Sequence, residues 1–432
     1  NEVKDYDVDD IRFNSVRWVA ANRMGYAYMS GQVDPRSGEL LRTQVVMSHE
    51  FVPYAYNFAL LTESKSSNNS FRLSGKKCMF ASNMMSAAGM VKLNMLTNGV
   101  IGENEEMPHQ FVHDYIKMVM MHEIGHAVGL PHNFKASVGI PYEKLHDKQY
   151  TQKYGVSSSV MDYNALNISP DPENQGEYVN TVVGAYDVLS IQYLYQPIYK
   201  QSKKGPIKMS GQIITSPEEE FVGLEKLLKK TYSPLYSYGL DAEGFQGPYT
   251  IDPDNMYSSL GSDPLKFHQD NLQMIKKTFA NIEGKLVSEG DDFSILRRAT
   301  DYMFDRYKRN LSNIIVTVGG IYYNRIAKGD EKEGSPFTPV QAEKQREAVN
   351  LVIKYAFNED FSSVNQSLLN KLVRNPLYRF TADSERRDNL DYPLHEVILD
   401  LQESLLHDLF HPVRLTRILD NQVRVANGND VY

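Results

Sequence analysis

Apolar and polar residues alternate through 11–19 (IRFNSVRWV), the two-residue period of a half-buried strand. GYAYMSGQV (25–33) and ELLRTQVVM (39–47) also read as strands. DPRSG (34–38) between them sets a proline after an aspartate and closes on glycine, so the two runs predict a hairpin. SKSSNNS (64–70) reads as a polar loop. Residues 80–98, rich in Met, Ala and Leu, fit strand or helix, and their periodicity does not decide. From Pro108 to Val128 the pattern turns helical: Phe111, Tyr115, Met118, Val119, His122 and His126 fall at three- and four-residue steps, and Gly129 and Pro131 end the run. A polar loop is expected over 133–157, followed by SSSVMDYN (157–164) and a helical pattern over 182–195.

Around residues 197–206, QPIYKQSKKGP reads as a linker. Beyond it helices are expected at 217–231, 263–283, 291–326, 340–358, 362–374 and 393–422, with irregular segments at 232–262 and 375–392. The map predicts two domains, 1–200 mixed α/β and 201–432 mainly helical, without internal repeats.

Composition narrows the function classes. The chain has 432 residues, 41% of them hydrophobic and 23% charged, enough to bury a large core. Its net charge of -8 argues against nucleic acid as the main partner, which would need a basic surface. With Cys78 as its single cysteine it forms no internal disulfide. No apolar run approaches the roughly 20 residues of a membrane span. The opening NEVKDYDVDD has no apolar signal core. A start on Asn1 rather than Met is read as a removed leader or a piece of a longer chain.

The chemistry concentrates in MHEIGHAVGLPHNF (121–134), which holds three of the chain's 11 histidines. His122 and His126 lie four apart, on one helix face, and can grip one ion. Glu123 projects about 100° around the helix from His122, poorly aimed as a ligand and well aimed at a metal-bound water. A helix that ran on would carry residue 132 about 15 Å along the axis from residue 122, so the chain must reverse after residue 128. Gly129 permits the positive φ this needs, and Pro131 cannot continue the helix. His132 then becomes the third nitrogen ligand, leaving a fourth position for water, as a catalytic zinc site requires. Chance places H-E-x-x-H in on the order of 1% of chains this long, and the added Gly and His lower that by roughly a thousandfold. Ordinary helix-face histidines are therefore the weaker reading. His113 lies roughly 13 Å along the helix from His122 and is read, with His109, as an ordinary polar residue. His407 and His411 repeat the four-residue spacing, but no glutamate follows His407, and a packed or surface pair is expected.

With SVMDY at 159–163, the chain resembles the metzincin zinc metallopeptidases, whose HExxHxxGxxH motif is followed by a methionine turn. The resemblance implies that Met161 packs beneath the histidines without binding zinc. It also implies that Tyr163 lies near the metal, where it can donate to an oxyanion. HNFKAS (132–137), DPRSGEL (34–40), AYDVLSIQYLY (185–195), DPDNMYSSLGSDPLKF (252–267) and VGGIYYNR (318–325) are similar to bacterial metalloproteases of the Met-zincin type. What this implies is an α/β (α+β) metzincin-like catalytic domain, with a twisted mixed sheet and an active-site helix, followed by a mainly α-helical domain. One catalytic Zn2+, a peptide or protein substrate laid along an edge strand, and an exported location (periplasmic, cell-surface or secreted) go with it. The 25–47 hairpin is a candidate for that edge. Asn133 departs from the branches with a diagnostic residue after the third histidine, so their substrate preferences do not carry over. Two rivals share the motif: a zinc hydrolase of a non-peptide amide or ester, and a binding protein that keeps the metal without turnover.

Overall fold

The computed structural model describes residues 10–20, 27–49, 80–103, 105–200, 211–214, 216–243, 247–330, 334–359, 361–374 and 389–425, with Asp7 and Val52 besides. The polar stretch 64–70, Cys78, most of the linker and most of 375–392 lie outside them. Strands β1 (Ser15–Val19), β2 (Ala27–Val33) and β3 (Leu40–Ser48) form one mixed sheet in the order β1-β3-β2. β1 runs parallel to β3, with Ser15 opposite Gln44. β2 runs antiparallel to β3, with Ala27 opposite Met47, so the expected hairpin is present. Its turn closes through Gly38 at φ +76, whose N–H donates to Asp34 O at 2.8 Å. β3 buries Val45, Val46 and Met47 in succession, as a central strand covered on both faces does.

The ambiguous stretch is helix α1 (Phe80–Thr97). It buries Met84, Met90, Val91, Leu93, Met95 and Leu96 around its circumference, so no single stripe marks its period. Each large apolar side chain buried here contributes about 1.5–3 kcal/mol. Helix α2 (His109–Ala127) lays Phe111, Tyr115, Met118 and Val119 inward and packs on β2 and β3. The stretch 133–157 departs from the expected loop: α3 (Lys148–Tyr154) starts where Asp147 accepts from Tyr150 N and stops at Gly155, φ +79. Seven residues are too few for periodicity to reveal. Helix α4 (Ala185–Tyr195) follows.

The second half is helical: α5 (Pro217–Leu228), α6 (Pro264–Asn281) and α7 (Ser294–Val316) come first. The helix expected over 291–326 ends early, because Gly319 at φ +67 and Gly320 turn the chain close against its neighbours. A Cβ on Gly319 would stand 2.9 Å from the Ile418 side chain. The chain then forms β4 (Ile321–Tyr323), antiparallel to β5 (Phe337–Pro339). Helix α8 (Ala342–Val352) continues into a π turn, and the helix expected over 362–374 shrinks to one turn at Gln366–Leu369. The run 393–422 splits into α9 (Leu394–Leu409) and α10 (Pro412–Arg424) at Pro412, which has no N–H to donate.

Helix α10 is amphipathic in the inverted sense. It buries Arg414, Arg417 and Asn421 and exposes Leu415, Leu419 and Val423, the last 87% accessible. The buried polar face caps the end of α7: Arg414 Nη1 donates to Ile315 O and Val318 O, both at 2.8 Å, and Arg417 Nε to Gly319 O at 2.8 Å. Cations suit the free carbonyls at a helix C-terminus. One apolar cluster takes in Met47, Leu93 and Tyr115 together with Leu272, Leu311 and Leu351, so both halves of the chain share a core. The architecture is mixed α/β with small sheets and a helical C-terminal region. Among the described residues no helix is long and apolar enough to cross a membrane.

Candidate metal centre

The structure brings His122, His126 and His132 together, with one ring nitrogen from each lying within 4.8 Å of the others. His122 and His126 come from the last two turns of α2. The chain then reverses at Gly129, φ +92, where Leu130 N donates back to Gly125 O at 3.0 Å. That reversal returns His132 to within 3.1 Å of His126, Nε2 to Nε2.

The other nitrogen of each ring is anchored. His122 Nδ1 meets Val160 O at 2.8 Å, His126 Nδ1 meets Leu130 O at 2.9 Å, and His132 Nδ1 meets Asp241 Oδ1 at 2.7 Å. Carbonyl and carboxylate oxygens accept, so each Nδ1 carries the proton and each Nε2 presents a lone pair. Two lone pairs at 3.1 Å repel in the absence of a cation. Two nitrogens each about 2.0–2.1 Å from a tetrahedral zinc stand roughly 3.3 Å apart, so the donor set fits that ion. Burial holds the His122 imidazole well below its ordinary pKa, with the charges of His126 and His132 adding to the effect. Burial, then the charge of His132, lowers His126 to about 4. Both rings are therefore neutral near pH 7, the form that ligates a metal.

Glu123, beside His122 on α2, is fully buried. Tyr163 is also buried, its ring 4.7 Å from that of His132 and 5.6 Å from that of His122. Met161 is buried directly against α2: a Cβ on Gly125 would stand 2.2 Å from its sulfur. The glycine between the two helix histidines is what lets the turn approach. Asp187 fixes the turn from the first residues of α4, accepting from Ser159 Oγ at 2.6 Å and Val160 N at 2.8 Å. Burial raises its pKa against those hydrogen bonds. His122 is thus held through the backbone of one residue, Val160, by a buried carboxyl.

Further side chains contact the three histidines. Phe80 of α1 stacks on His122 with ring centres 4.0 Å apart and planes 10° from parallel. Phe134 lies between His132 (5.3 Å) and Tyr257 (4.4 Å). Asp241 lies 109 residues beyond His132. HNF at 132–134 was a legible hint for Phe134, but nothing local in the sequence points to Phe80 or Asp241. His109 and His113 are not among the grouped residues, and His407 and His411 form an edge-on ring pair 5.6 Å apart.

No curated protein and no solved structure matches the chain. The profile of the Met-zincin family matches residues 104–432, a span that holds the three histidines, Glu123, the methionine turn and Asp241, and the chain belongs to that family.

Proposed function

We propose that the chain is a zinc-dependent endopeptidase in which His122, His126 and His132 hold one ion, Glu123 is the general base and Tyr163 an oxyanion donor. The carrying observation is the set of three Nδ1 anchors, which turn three Nε2 lone pairs to one point beside a buried carboxylate. Zinc held there supplies a Lewis acid that acidifies water and polarises a carbonyl. Glu123 takes the proton from the attacking water on its carboxylate and returns it to the leaving amine as the C–N bond breaks. Its burial keeps bulk water away from the proton in transit. Tyr163 offers its hydroxyl to the peptide oxygen as negative charge develops there.

The substrate class rests on β2. Among the described residues β2 is an edge strand; it packs on α2 and leaves Ser30, Gly31, Gln32 and Val33 exposed. An extended peptide can add to such an edge by main-chain hydrogen bonds. The resemblance to exported bacterial enzymes extends the proposal to a location outside the cytoplasm. A digest of a proteome-derived peptide library by the zinc-loaded chain tests this reading. Chelator-sensitive cleavage of extended peptides is expected. Turnover only of small amides or esters would favour the non-peptide hydrolase, and zinc binding with no turnover would favour a binding protein.

A further inference from the structure

Asn133 follows the third histidine, and its contacts run in two directions. Its N–H donates to Met161 O at 3.0 Å, tying it to the methionine turn. Its buried side chain reaches a loop more than 100 residues away: Nδ2 donates to Ser237 O at 3.1 Å, and Oδ1 accepts from Gly239 N at 3.1 Å. Phe134 N adds a third bond, to Gly239 O at 3.0 Å. The loop is braced from its other side as well. Arg325 lies over the Tyr238 ring at 4.0 Å and donates from Nη2 to both oxygens of Glu243 at 2.7 Å. Gly239 lets the loop sit close, since a Cβ there would stand 2.4 Å from Asn255 Oδ1. At the centre of this braced segment Asp241 Oδ1 accepts from His132 Nδ1.

We propose that the loop 237–243 is an integral part of the metal centre, with Asn133 as its clasp and Asp241 as the positioning residue for His132. This rests on the reading of the three histidines as zinc ligands. His122 and His126 are anchored on backbone carbonyls of the segment 130–160, whereas the third ligand depends on a side chain from the second half of the chain. The competing view makes Asp241 one half of an ordinary surface ion pair, since its side chain is 54% exposed against 13% for His132. Such a pair adds little to folding stability. The same contact on a ligating imidazole fixes ring orientation and raises basicity, and its loss typically costs 10–100-fold in metal affinity. The two views therefore predict opposite patterns.

The test measures zinc affinity by competition with a chromogenic chelator, the melting of the metal-free protein, and the visible spectrum of the cobalt-loaded protein. It uses the full chain and its Asp241→Ala and Asp241→Asn variants. Asn keeps an oxygen that accepts from Nδ1. The expected result is a 10–100-fold loss of zinc affinity and an altered cobalt spectrum for Asp241→Ala, affinity within about threefold of the parent for Asp241→Asn, and unchanged metal-free melting for both. The assignment is overturned if Asp241→Ala binds zinc as tightly as the parent, or if both variants lose affinity equally. It is also overturned if the loss is matched by a lowered melting point of the metal-free protein. If the parent itself takes up no zinc, the reading of the histidines falls first, which separates the two failures.

Discussion

Gly125 sits one residue before the second histidine, and Gly125→Ala puts two terms of opposite sign in competition. Alanine is a better helix former than glycine by about 1 kcal/mol. Against that, the new Cβ would stand 2.2 Å from Met161 Sδ and 3.5 Å from its Cε. Methionine bends easily, but Met161 is fully buried and packed with Leu130 and Val160. Overpacking of this kind costs about 1–3 kcal/mol. Gly125→Ala should therefore destabilise the parent by up to about 2 kcal/mol, and it should weaken zinc binding, because Val160 O, next to Met161, anchors His122. With Met161→Ala in the background the clash is gone and only the propensity term remains, so the same substitution should stabilise by up to about 1 kcal/mol. Urea denaturation of the four proteins in a double-mutant cycle reads this change of sign directly. Equal effects of Gly125→Ala in both backgrounds would refute the account of how the methionine turn seats on α2.

Two further outcomes follow from the helical half. His268 is buried with Nδ1 2.8 Å from Asn310 Oδ1, and burial lowers its pKa from 6.5 to about 4. The unfolded chain takes up that proton near 6.5 and the folded one only near 4, so its share of stability is full above pH 6.5, is lost as pH falls towards 4, and is flat below. Urea midpoints across that window should show the parent losing about 3 kcal/mol more than His268→Gln, and parallel curves would contradict the assignment. Arg414→Met removes the donor from the buried carbonyls of Ile315 and Val318 and should cost about 2–4 kcal/mol by the same assay, whereas Arg346→Met on the exposed face of α8 should stay within about 0.5. A neutral Arg414→Met would mean that the inverted polarity of α10 has no capping role.

The ligand cluster was readable in the sequence because its information is local. Helical spacing aligns His122 with His126, and one glycine accounts for the return of His132. The hairpin was readable for the same reason, through DPRSG and Gly38. What stayed hidden depends on tertiary neighbours. Phe80 meets His122 across two helices, and residues buried on every side of α1 erase its period. Asp241 reaches His132 across 109 residues. The helix expected through 291–326 broke at Gly319–Gly320, where close packing against α10 and Val340 outweighs local propensity. Helix α10 lies in the run 393–422, which the sequence predicts only as helix, yet it buries its arginines, because they hydrogen-bond the carbonyls of Ile315, Val318 and Gly319 at and just beyond the end of α7. In the sequence Asn133 marks only a departure from better-characterised branches. Its structural meaning is the clasp on 237–239, which no spacing rule would show.

In the proposed mechanism the buried Glu123 carboxylate, beside three converging imidazoles, moves a proton and does not itself hold the metal. The direct measurement compares Glu123→Ala with the parent chain for zinc content and for chelator-sensitive peptide cleavage in the same preparation. One zinc per chain is expected in both proteins, with a fall in turnover of about 10²–10⁴-fold or more in the variant. A variant that cleaves as fast as the parent, or that loses zinc along with activity, would contradict it.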